Sequence, residues 1–128
     1  SGANLTRANL KRANLTNADL TRADLSGAHL EEVNLIGSVL QRAMLVGCNL
    51  TRADLRTADL DGADLQGANL TAADVSGATC RHVNLTSACL TGVDFDTVDL
   101  EGTEVGDRGG MASGDPLMGV SRQWTSWH

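Results

Sequence analysis

The stretch from Ala53 to Leu70 reads ADLRTADLDGADLQGANL, and in it an Ala-(Asp/Asn)-Leu triplet returns every five residues. Counted in fives from Leu5, leucine fills nearly every such centre to Leu100, with Val75, Cys80 and Phe95 as exceptions, and Val105 closes the series. Two residues before each centre sits Ala, or one of Val33, Ser38, Cys48, Val83, Val93, Val98 and Thr103. Twenty-one consecutive repeats result, from Ala3 to Val105. Self-similarity of this kind outranks local propensity in deciding the fold.

A five-residue period excludes the two simple answers. On an α-helix five residues advance about 140° net, so the leucines would point all round the rod. On one continuous strand a step of five is odd, so successive leucines would alternate faces. A third shape satisfies the pattern. Ala and Leu are two apart, so a short extended piece puts both on one face. From Leu to the next Ala is three residues, and there the chain must turn a corner. The corner residues read Thr-Arg, Ser-Gly, Asp-Gly, Gln-Gly and Thr-Gly, which is turn chemistry. Repeated corners close the chain into coils, and stacked coils pair as parallel strands that satisfy one another's backbone groups. Alanine leaves room for its large leucine neighbour inside a narrow tube. The sequence thus predicts a β-solenoid.

Composition agrees. Hydrophobic residues make up 41% of the 128, but aromatics only 2%, so the core is built from small aliphatic contacts. No apolar run approaches the ~20 residues of a membrane span, and no signal peptide is visible. The chain begins Ser-Gly-Ala-Asn-Leu, in register with the repeat and without Met, as expected of a processed or truncated piece. Three cysteines follow no metal spacing and no disulfide framework, which points to a reducing, cytoplasmic setting. Five Asn-Leu-Thr sequons, at Asn4, Asn14, Asn49, Asn69 and Asn84, are read as a by-product of the repeat rather than as glycan sites.

The run of A-(D/N)-L-x-x units from Ala3 to Val105, about four-fifths of the chain, resembles the pentapeptide-repeat protein family. The resemblance implies an all-β fold, a right-handed quadrilateral parallel β-helix with four repeats per coil. Residues 1–105 would form about five coils, a rod roughly 25 Å long. Residues 106–128 would be a non-repeat C-terminal tail. Some family members imitate B-form DNA and bind DNA gyrase or topoisomerase IV, protecting against quinolones and gyrase poisons. Those are typically longer, broadly acidic, and dimeric through their C-terminal ends.

Any function must be written on the outward positions. Residues 1–56 hold seven basic and five acidic residues; residues 57–105 hold one basic and nine acidic. With stacked neighbours twenty residues apart, Asp54, Asp74 and Asp94 share one face. The next carries Asp59 and Asp61, then Asp99 and Glu101. This is either an acidic interaction surface or the ordinary solvation of a repeat that favours Asp. Ile36, Val39, Met44 and Val46 are outward and apolar, and form a candidate interface. Val83, Val93, Val98 and Phe95 are bulkier inward residues suited to plugging the last coil. In the tail, Leu117 and Met118 with both tryptophans, Trp124 and Trp127, are expected to cap the final coil or make a dimer contact.

Chemistry is not in evidence. His29, His82 and His128 make no metal-ligand spacing, and no cofactor motif occurs. Cys48 and Cys80 are inward, and Cys89 outward. No aromatics interleave with the basic residues, which argues against direct nucleic-acid binding. The reading from sequence is a non-enzymatic scaffold for another protein, with no cofactor, no membrane contact and a possible homodimer through the tail. The alternative is the gyrase-binding DNA mimic.

Overall fold

A computed structural model describes residues 2–105. The predicted tail, with Leu117, Met118, Trp124 and Trp127, lies outside the described residues. Sixteen parallel bridges, from Asn4↔Asp24 to Asn84↔Glu104, join residues separated by twenty. Twenty residues are four pentapeptides, so each coil has four sides and the chain climbs as a square tube of about five coils. Four walls follow, each named by the residue that precedes its central leucine. The first wall runs through Asn4, Asp24, Met44, Asp64, Asn84 and Glu104. The second carries Asn9, His29, Asn49, Asn69 and Cys89. Asn14, Asn34 and Asp54 begin the third wall, and Asp19, Val39 and Asp59 the fourth.

One repeat shows why the sequence folds this way. The Asn34 N–H donates to the Ala13 carbonyl one coil below, and the Leu35 N–H to the Asp54 carbonyl one coil above. The Gly37 N–H donates upward to Arg56, and the Ser38 N–H closes the corner onto Leu35. That leaves one donor, the N–H of Ile36, and the Asn34 side chain accepts it at 3.1 Å. All five backbone N–H groups of the repeat are therefore satisfied. The Asn or Asp before each leucine is thus an Asx cap of the corner that follows. At most sites where Thr or Ser follows that leucine its hydroxyl donates to the same oxygen, as Thr51 does to Asn49 and Thr71 to Asn69, whereas Ser26 and Thr86 cap through the backbone N–H alone. The Asn-Leu-Thr sequon has its physical cause in this double capping.

The second corner residue carries a positive φ, between +57° and +77° from Gly2 to Gly102 with the exception of Thr97. Nine of these are glycine, as a left-handed turn position favours. Five of the others are arginine: Arg7, Arg12, Arg22, Arg42 and Arg52. Their side chains lean over the next coil; at Gly62 a β-carbon would come within 3.2 Å of the Arg42 stem.

The interior is filled by the chain's own side chains. Leucines 25 to 65 and their partner alanines are at most about 1% exposed, as close packing requires. Leu5, Leu10 and Leu15 are only half-buried, because among the described residues no coil lies beneath them. At the other end Val83, Val93, Phe95 and Val98 are all buried, filling the last coil as expected from their bulk. The pattern loosens there. Asp94 makes no bridge to Asp74, and the Gly77 N–H turns from the backbone ladder to the Thr97 hydroxyl at 3.0 Å. The break falls beside Phe95, the widest residue in the tube.

Candidate interaction surfaces

The acidic columns predicted from sequence are more compensated than their charges suggest. Asp54 and Asp74 are bridged neighbours on the third wall, but Asp94 drops out of that ladder. Between the first two lies Arg56, which binds Asp54 through two bonds of 2.8 and 2.7 Å and approaches Asp74 at 3.9 Å. On the fourth wall Thr79 separates Asp59 from Asp99, so no ladder of carboxylates forms. Asp59 accepts from Gln41 and from the Thr79 hydroxyl. At the neighbouring corner Arg81 sits between Asp61 and Glu101 in the column. It donates to Asp61 through its backbone N–H and through Nε and Nη2 of the guanidinium, and lies 4.0 Å from Asp99. Most of these carboxylates also cap the corner after them: Asp54, Asp59, Asp74, Asp94 and Asp99 each accept the N–H two residues on. Two arginines thus hold two of the seven carboxylates and approach two others, Asp74 and Asp99, so the surface stays acidic without being a bare ladder of like charges.

These contacts set the titration of the acids. Partial burial opposes ionisation of Asp61, but the hydrogen bonds and charge of Arg81 outweigh it and hold the carboxyl below its usual range. The Arg56 bonds do the same for Asp54. A carboxylate depressed in the folded state contributes stability above its unfolded pKa, and that contribution disappears as pH falls through the folded value. We expect the urea midpoint to be flat near neutrality and to drop below about pH 4. Asp61→Asn should shrink the drop, read by urea titrations at a series of pH values. An equal acid response in both proteins would remove Asp61 from the account.

The apolar group is narrower than its sequence pattern implied. Ile36, Val39 and Val46 are half-buried against the coils above and below. Met44 alone stands out, 45% exposed and the one exposed large hydrophobic among the described residues. It lies on the first wall between Asp24 and Asp64. Val39 and Met44 also occupy capping positions that their side chains cannot serve.

Among the described residues no group of His, Cys, Asp and Glu could hold a metal ion, and no helix is long and apolar enough to cross a membrane. Burial pushes the thiols of Cys48 and Cys80 up to about 12, so they are inert packing groups. Cys89 is exposed and bonded to the hydroxyls of Thr71 and Thr91, which lower its pKa. His29 and His82 are exposed on different sides of the rod.

A surface feature that the sequence reading passed over is a groove of about 510 Å³ along the corner between the fourth and first walls. Arg22, Arg42, Arg81 and His82 line it, with Asp61. Counting the basic residues by twenty, as was done for the acids, would have stacked Arg22 on Arg42.

The family model for pentapeptide repeats matches residues 1–37, 23–62, 34–71 and 63–102. The chain belongs to the pentapeptide-repeat family. Among solved structures, a pentapeptide repeat protein from the Arabidopsis thaliana thylakoid lumen aligns with a TM-score of 0.77 at 29% identity, covering 92% of this chain and 89% of that one. The pentapeptide repeat protein Rfr23 from the cyanobacterium Cyanothece 51142 aligns at 0.49 and 30% identity, covering 83% and 86%. QnrB1, a plasmid-mediated fluoroquinolone resistance protein, aligns at 0.46 and 24%, covering 81% and 65%. No curated protein matches the chain. Like its structural neighbours in the pentapeptide-repeat family, the protein is a right-handed quadrilateral β-helix.

Proposed function

We propose that this pentapeptide-repeat protein is a non-enzymatic rod that presents its outer walls to another protein, with the band around Met44 as the point of contact. The observation that carries this reading is Met44 itself. Its position elsewhere in the wall is Asn, Asp or Glu, and an Asn or Asp there would cap the Val46 N–H. Methionine gives up that cap and exposes an apolar, adaptable side chain. A residue that lowers both local stability and solubility is accounted for by a partner that covers it. The half-buried Val39 and Val46 extend the apolar area around the rod.

Met44→Asn separates fold from function. The new side chain restores the corner cap without adding a charge between Asp24 and Asp64. Stability should rise by about 0.5–1 kcal/mol in urea unfolding. Affinity for a protein partner isolated with the wild-type rod and then purified should fall about tenfold or more, read by titration calorimetry. Unchanged affinity would overturn the assignment of Met44.

A second reading is a DNA mimic acting on DNA gyrase. The nine acidic residues against one basic between 57 and 105 favour it, while the pairing of Arg56 and Arg81 with their neighbours works against it. A supercoiling assay with gyrase and a quinolone decides: relief of inhibition by the rod supports the mimic, and no change at stoichiometric excess removes it.

A further inference from the structure

We propose that the corner groove between the fourth and first walls is a binding site for a phosphate-type dianion. Eight basic side chains, besides the histidines, lie among the described residues, and four have carboxylate partners. Lys11 pairs with Glu31, Arg12 with Glu32, Arg56 with Asp54, and Arg81 with Asp61. Arg7, Arg22, Arg42 and Arg52 have no ion pair among the described residues. Arg7 and Arg52 stand singly on other corners. Arg22 and Arg42 are stacked one coil apart in the same groove, about 4.8 Å along the rod.

Their arrangement is unfavourable for an unliganded rod. Both residues occupy left-handed backbone positions, at φ +59° and +57°, where glycine would relieve strain. Both place like charge beside like charge. Carboxylates on the flanking walls are engaged as corner caps, Asp19 with Thr21, Asp24 with Ser26 and Asp64 with Gln66. Gln41 is turned away to Asp59. Asp61, the acid that lines the groove, is held by Arg81. Three arginines less one aspartate leave the lining at +2 with His82 neutral.

A compact dianion matches that charge and that geometry. Each guanidinium offers a planar fork of donors, and a phosphoryl group offers three strong acceptor oxygens within a radius that two cations ~5 Å apart can share. A monocarboxylate supplies half the charge. Gly62 lines the groove too: with no β-carbon it leaves room for the Arg42 stem, whose Cγ a β-carbon there would approach to 3.2 Å.

The test is calorimetric titration of the whole chain, slightly above neutral pH, with inorganic phosphate, and in a second arm with O-phosphoserine. Saturable binding at one site is expected, weakened about tenfold or more in the double variant Arg22→Gln, Arg42→Gln. The control double variant Arg7→Gln, Arg52→Gln removes the same net charge from isolated positions and should bind as the wild type does. Circular dichroism of both variants checks that the rod is intact, and shifts of the arginine side-chain N–H resonances locate the anion. Binding in both arms assigns the site to phosphoryl groups carried on larger molecules as well as free anions. Binding of inorganic phosphate alone assigns it to free anions. Absence of saturable binding in either arm, or an equal loss in the two double variants, would overturn the proposal. The site is independent of the Met44 contact, so either can fail alone.

Discussion

Leu60→Ala is expected to lower the stability of the rod by about 3 kcal/mol, and Leu5→Ala by about 1 kcal/mol or less. The two substitutions are chemically identical and both sit at a repeat centre. Their surroundings differ. Leu60 is 1% exposed, with a full coil on either side. Leu5 is half-buried in the first described coil. Removing three carbons at position 60 forfeits their transfer free energy and opens a cavity that the ladder of the coils above and below prevents from collapsing. At position 5 water already reaches the side chain, so less is lost. Urea unfolding of the two variants provides the measurement. Similar losses at both sites would mean that the tube is not packed coil against coil.

Ala63→Leu should cost about 2 kcal/mol, with an Ala63→Val variant costing less. Ala63 is 1% exposed, and in its column Ala43 lies one coil below and Val83 one coil above. The column therefore already passes from a small to a branched residue. A leucine at 63 would meet Val83 overhead and the leucines of its own coil at the side, with no room for a relaxed rotamer. The chain's own exceptions point the same way: of the four valines at the small inward positions, Val83, Val93 and Val98 lie towards the last coil and only Val33 lies lower in the tube, whereas 53, 58, 63 and 68 are all alanine. Thermal unfolding should show the graded order Ala, Val, Leu. If the leucine variant is as stable as the wild type, the tube is wider than the alanines imply.

The fold was legible because its determinant is periodic. A centre every five residues and a small residue two before it define an inside with no reference to distant contacts, and the buried leucines from 25 to 65 follow that count. The outward placement of Cys89 and the filling of the last coil by Phe95 were legible for the same reason. The cap was visible in the sequence but not its purpose: Asn or Asp before each leucine and Thr or Ser after it are adjacent in the chain, yet only hydrogen-bond geometry identifies them as one device. The break at Asp94 has no sequence signal beyond the large ring next to it.

What the sequence alone determined is which side chains face inward, since that depends on spacing within five residues. What only the tertiary structure decided is what each wall presents, since that depends on pairs twenty residues apart and on where long side chains end. Asp54 and Asp74 read as a bare acidic ladder until Arg56 is seen between them, and Asp61 as an open charge until Arg81 is seen to hold it. Arg22 and Arg42 read as scattered basic residues until one coil brings them together over a shared groove. Charge pairing is set by a few ångströms of side-chain reach, which the count along the chain does not contain.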